Sequence, residues 1–105
     1  METFKLPPLT HQDLNLLKDG VKLRRTAVYQ DSDQSMVEEM INLLASWAHA
    51  TSKRGDVKTT LPELTKDQLD LLIRGVGSLG HVDGWSDEER AMDKILKGLS
   101  PEYSG

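Results

Sequence analysis

One segment of this chain occurs twice, and that limits what the chain can fold into. Leu6-Pro7-Pro8-Leu9-Thr10 through Gly20-Val21 returns as Leu61-Pro62-Glu63-Leu64-Thr65 through Gly75-Val76, at an offset of 55 residues. The paired identities are Leu6/Leu61, Pro7/Pro62, Leu9/Leu64, Thr10/Thr65, Leu14/Leu69, Leu16/Leu71, Leu17/Leu72, Gly20/Gly75 and Val21/Val76. In both copies a threonine precedes leucines at helical spacing, the pattern of a capped amphipathic helix. Neither copy can cover its own apolar stripe. With 105 residues in all, the two have one small core to share. We therefore read residues 1–105 as a single domain, with repeat one over 6–52, a linker over 53–60 and repeat two over 61–100.

Taken in order, residues 1–9 read as an extended entry, because Pro7-Pro8 disfavours helix there. Thr10 is the expected N-cap of a first helix running to about residue 28, with Asp13 at the capping-box position and Leu9 and Leu14 as staple. Tyr29-Gln30-Asp31-Ser32 is a turn, and Asp31 with Gln34 is a second capping pair. Met36, Val37, Met40, Ile41, Leu43, Leu44, Trp47 and Ala48 then give a strongly amphipathic helix ending near Ser52, with Gly55 suited to a left-handed stop. Residues 56–63 are read as linker. Thr65 and Gln68 form a full capping box for a third helix, whose end Gly75, Gly77 and Gly80 should loosen. Asp83-Gly84 is a turn, and Ser86 with Glu89 caps a short fourth helix that Ser100-Pro101 stops. The offset carries through both hairpins: Met40-Ile41 falls on Ile95-Leu96. The fold class is all-α, a four-helix arrangement of two tandem helical hairpins about a pseudo-two-fold axis. The glycine shared at 20 and 75 points to close backbone approach.

In a duplicated scaffold the differences between the copies carry the functional information. Lys18, Lys22 and Arg25 fall within about 60° of one another on a helical wheel; their counterparts are Ile73, Gly77 and Gly80. Arg24 lies inside the apolar arc, opposite Leu79 in the other copy. Lys18, Lys22, Arg24, Arg25 and the neighbouring Tyr29 are therefore the candidate residues for a small anion or an acidic partner. Arginine offers a planar fork to phosphate or carboxylate, and a tyrosine ring stacks on a base. Helix two is the second asymmetry. It reads as two turns longer than helix four, and its apolar arc spans roughly 160°, more than one packing seam needs. Met36, Met40, Leu43 and Trp47 form one sub-face, which is either the candidate partner-binding surface for another protein or a second copy of the chain, or an extension that packs over the 55–63 linker. Trp85, at the second hairpin tip, reads as a staple residue in preference to an exposed anchor.

Other chemistry is excluded or weakly signalled. A 37% hydrophobic share against 29% charge is that of a soluble globular chain, and no apolar run is long enough to span a bilayer. The Met1-Glu2-Thr3-Phe4 start has no charged leader or apolar run, so the cytoplasm is the expected compartment. Residues 1–55 hold seven basic and seven acidic side chains and residues 56–105 six and ten, which argues against a nucleic-acid partner. Without cysteine there are no thiolate sites, and His11, His49 and His81 stand in no metal-ligand spacing. No cofactor is expected: there is no phosphate-binding glycine loop and no nucleophile elbow. Asp31-Ser32-Asp33 starts like a calcium loop but lacks its glycine and closing glutamate. Arg74 and His81 superficially resemble the Arg-x(4–6)-His ribonuclease motif of HEPN domains; the likeness covers two residues, and Gly75 stands where that family usually has a polar residue.

Leu64-Thr65-x-x-x-Leu69-x-Leu71-Leu72-x-x-Gly75-Val76, followed by an acidic helix opening on Ser86-x-x-Glu89, resembles small helical-hairpin accessory proteins common in bacteriophage genomes. The likeness covers both repeats. It implies a non-enzymatic protein that binds a host component, often one used in defence or transcription, and it transfers no site residues. The leading expectation is thus a protein-binding module acting by occlusion or bridging through helix two. The alternative is an oligomeric protein that sequesters a nucleotide-like anion; a third reading is an antitoxin-like acidic inhibitor.

Overall fold

In the computed structural model, residues 3–25, 34–51, 53–54 and 57–100 are described, Asp83 by its backbone alone. The expected turn at 29–32, the Asp31 cap, the Gly55 stop and Tyr29 lie outside the described residues. Within them are four helices and four two-residue strands: β1 (Thr3–Phe4), β2 (Leu9–Thr10), α1 (His11–Arg24), α2 (Gln34–Ala50), β3 (Lys58–Thr59), β4 (Leu64–Thr65), α3 (Lys66–Asp83) and α4 (Asp87–Leu99). The architecture is all-α apart from these short strands.

The helix starts follow from side chains that satisfy orphan N–H groups. The Thr10 hydroxyl accepts from the Asp13 amide at 3.1 Å, and the Thr10 amide donates to the Asp13 carboxylate at 3.1 Å. Thr65 and Gln68 repeat the box at 3.2 and 2.9 Å. Ser86 caps α4 by accepting from the Glu89 amide at 3.1 Å, but its hydroxyl donates to the Glu89 carboxylate at 2.9 Å, so this cap is closed side chain to side chain. The third helix does not loosen at its glycines. α3 runs unbroken through Gly75, Gly77 and Gly80 and stops at Gly84, whose φ of +78° suits glycine.

The stretches read as entry and linker contain two-residue strands. β1 pairs antiparallel with β4, Thr3 opposite Thr65 and Phe4 opposite Leu64. β2 pairs antiparallel with β3, Leu9 opposite Thr59 and Thr10 opposite Lys58. Adding 55 to β1 gives β3, and adding 55 to β2 gives β4. The linker assigned to 53–60 is therefore partly an element of repeat two, and each repeat lends its first strand to the other's second. Two-residue strands have no alternating pattern to betray them; only the partner reveals them.

α1 and α3 meet at the shared glycine. A Cβ on Gly20 would stand 2.7 Å from the Gly75 carbonyl carbon and oxygen, and one on Gly75 would stand 2.9 Å from the Gly20 carbonyl carbon and the Val21 nitrogen. Backbone touches backbone there, and no side chain fits. α2 packs mainly on α1 and also touches α3; α4 packs mainly on α3 and also touches α1. The buried core repeats with the sequence: Leu6, Leu9, Leu14, Leu17 and Val21 match Leu61, Leu64, Leu69, Leu72 and Val76, all buried. Val37 and Ile41 match Met92 and Leu96, also buried. No helix among the described residues is long and apolar enough to cross a membrane.

Candidate functional site

The basic residues of α1 do not assemble into one site. Arg24 turns towards α3, where its Nη1 donates to the Ser78 hydroxyl at 3.0 Å. That hydroxyl donates in turn to the Arg74 carbonyl at 2.9 Å. An arginine on the apolar arc is thereby accommodated: half-buried, it carries its head to a serine on the neighbouring helix. Arg25 turns the other way, towards α2, with Nη1 3.5 Å from Glu38 in an exposed ion pair. Lys22 is exposed and Lys18 half-buried. The five candidates proposed for an anion are thus distributed over two seams and a solvated face, with Tyr29 outside the described residues. The sequence wheel treats them as neighbours because it sees one helix; the second and third helices separate them.

The helix-two surface needs a larger correction. Met40 is 0% exposed and belongs to the protein's own core, so it cannot be a docking residue. Met36, Leu43 and Trp47 are half-buried and pack against that core. The wide apolar arc has an internal explanation, because α2 contacts both central helices, and two neighbours need two seams. Among the described residues the helix is 17 residues long against 13 for α4, a difference of about one turn, where the sequence reads as two. Its C-terminal end is tied down. His11 Nδ1 lies 2.7 Å from the Ala48 carbonyl, and because a carbonyl only accepts, the ring nitrogen is the donor. The Thr51 hydroxyl donates to the Trp47 carbonyl at 2.7 Å and hydrogen-bonds with the Thr59 hydroxyl at 2.8 Å. His11 is a structural residue by this geometry.

The exposed apolar surface lies elsewhere. Among the described residues, the large exposed hydrophobics are Val82 at 57%, Trp85 at 38% and Ile95 at 37%. All three belong to the second hairpin. Val82 and Trp85 flank Gly84 at the tip, and Ile95 is on the outer side of α4 beside exposed Ala91, Lys94 and Gly98. Trp85, read as a staple residue for α4, has its ring back against α3. Its ring lies over Gly80, where an added Cβ would stand 2.5 Å from ring carbons Cδ2 and Cε2. Val82 and Ile95 escaped the sequence reading. Ile95 had a signal, since it occupies the position of Met40 in a shorter helix with fewer apolar neighbours.

The other polar residues weighed from the sequence stand apart from one another. Arg74 and His81 are both exposed, and Arg74 Nε donates to the Asp70 carbonyl one turn back at 3.4 Å. His49 is exposed on the far side of α2. Among the described residues no three His, Cys, Asp or Glu side chains come together as a metal site. No protein-family model, curated protein or solved structure matches the chain.

Proposed function

We propose that this chain is a non-enzymatic binding module of the small phage-accessory kind, which works in the cytoplasm by occluding a host defence or transcription protein. Its contact surface is the outer face and tip of the second hairpin, not helix two. One observation carries this reading: the large exposed hydrophobics among the described residues, Val82, Trp85 and Ile95, all fall in the second hairpin, and Met40, the counterpart of Ile95, is buried. Exposed Asp87, Glu88, Arg90 and Lys94 share α4 with Ile95, and an interface commonly combines an apolar centre with a charged rim. The reading as a sequestering protein for a nucleotide-like anion draws less support, since Arg24 and Arg25 turn to different helices.

The test compares capture from host lysate by the immobilised wild-type chain and by the double variant Val82→Asp/Ile95→Asp. The double variant is expected to keep the circular-dichroism spectrum and to lose the captured protein. Equal capture by both chains, or by neither, overturns the proposal.

A further inference from the structure

We propose that the surface each repeat presents to the other is also a docking surface for a second copy of this chain. The product is an exchanged dimer in which repeat one of each chain closes on repeat two of the other. This inference is independent of the function proposed above.

It rests on the reciprocity of the contacts between repeats. β1 and β2 belong to the same repeat and do not pair with each other, nor do β3 and β4. Every described strand pair joins one repeat to the other, in registers related by the offset of 55 residues. The Thr3 hydroxyl adds a bond across this boundary, donating to the Glu63 carboxylate at 3.0 Å. The glycine contact is likewise mutual, each backbone filling the space above the other's Cα. A repeat withdrawn from its partner would therefore expose a strand edge, a leucine face and a bare glycine. The complement of that surface is carried by every other copy of the chain. Only the segment between Thr51 and Lys58 makes the partnership intramolecular.

The closed monomer and the exchanged dimer make the same contacts between repeats. What separates them is the effective concentration that the short tether supplies, on the order of millimolar. The closed form therefore dominates at micromolar concentration, and exchange competes when chains fold near millimolar. Once formed, the dimer is retained, because reopening separates both strand pairs and the α1–α3 contact together.

The chain has no cysteine, so exchange can be trapped cleanly. Thr3 and Thr65 are opposed across β1 and β4, at a Cα separation of about 4.5–5.5 Å in such pairs, which a disulfide spans. A Thr3→Cys chain, isotopically labelled, is unfolded with an unlabelled Thr65→Cys chain, and the two are refolded together and oxidised. The expected product after refolding at about 1 mM is a mixed covalent dimer of twice the 11.8 kDa chain mass, in clear excess over like–like pairs and scarce after dilute refolding. A single chain carrying both substitutions is the companion measurement. It closes its disulfide within the chain when folded dilute, which verifies fold and register. Failure of that closure overturns the reciprocal pairing. Closure without any excess of mixed dimer at high concentration overturns the exchange.

Discussion

Three glycines of α3 stand within six residues of one another, yet they answer to different physics. Gly75 meets the backbone of α1 in a space no methyl can enter, Gly77 faces open space, and Gly80 supports the Trp85 ring. Gly75→Ala should destabilise the fold by about 1–3 kcal/mol or more, as overpacking does against an unyielding neighbour. Gly77→Ala should do the reverse, adding about 0.5–1 kcal/mol through helix propensity alone. Urea-denaturation midpoints of the two variants, two positions apart, must therefore move in opposite directions; equal shifts would mean the helices do not touch where described. At the caps, Thr10→Ala and Thr65→Ala should each cost about 1 kcal/mol, because each threonine serves the same box in its own repeat. The repeat in the sequence marked Gly20, Gly75 and both threonines. It did not distinguish Gly77 from Gly75, since that difference depends on which atoms of another helix lie opposite.

At the scale of elements, α2 and α4 are equivalent in descent and unequal in use. Met40 and Ile95 occupy matching positions, one in the core and one at the surface. Met40→Asp should cost roughly 3 kcal/mol or more, since it replaces a buried thioether with an unpaired charge. Ile95→Asp should cost about 1 kcal/mol or less, as surface substitutions do. Thermal unfolding of both variants checks this directly. The hairpin tip allows a coupled test. Gly80→Ala drives a methyl into the Trp85 ring, whereas a Trp85→Ala background removes the three atoms nearest to that methyl. A double-mutant cycle should return a coupling energy of about 0.5 kcal/mol or more; additivity would place the ring elsewhere. Hydrophobic spacing located these helices to within a few residues. It could not say that the broad arc of α2 faces two neighbours, because periodicity records how much of a helix is apolar and not what covers it.

For the whole molecule, reciprocal strand pairing makes the repeats interdependent. Neither has a strand partner of its own among the described residues, and the central helices bury their leucines against each other. Unfolding should be a single transition with no half-folded state. The two tryptophans fall one to each repeat, Trp47 and Trp85, so the chain reports on both halves. Trp47→Phe and Trp85→Phe variants, each leaving one fluorophore, should give fluorescence transitions that coincide with the circular-dichroism transition of the same variant. A fluorescence transition displaced from the helix signal in either variant would show a repeat that stands alone.

The sequence by itself determined the duplication, the four helices, the caps that start three of them, most of the core and the glycine pair at its centre. Each of these is local or follows from comparing the chain with itself. Tertiary structure alone decided that short strands within the entry and linker segments pair across the repeats, that Arg24 and Arg25 part company, that Met40 is core, and that the large exposed hydrophobics among the described residues lie on the second hairpin. In each of these cases the deciding partner is distant in sequence. Burial and pairing belong to two surfaces at once, and a chain read along its length shows only one of them.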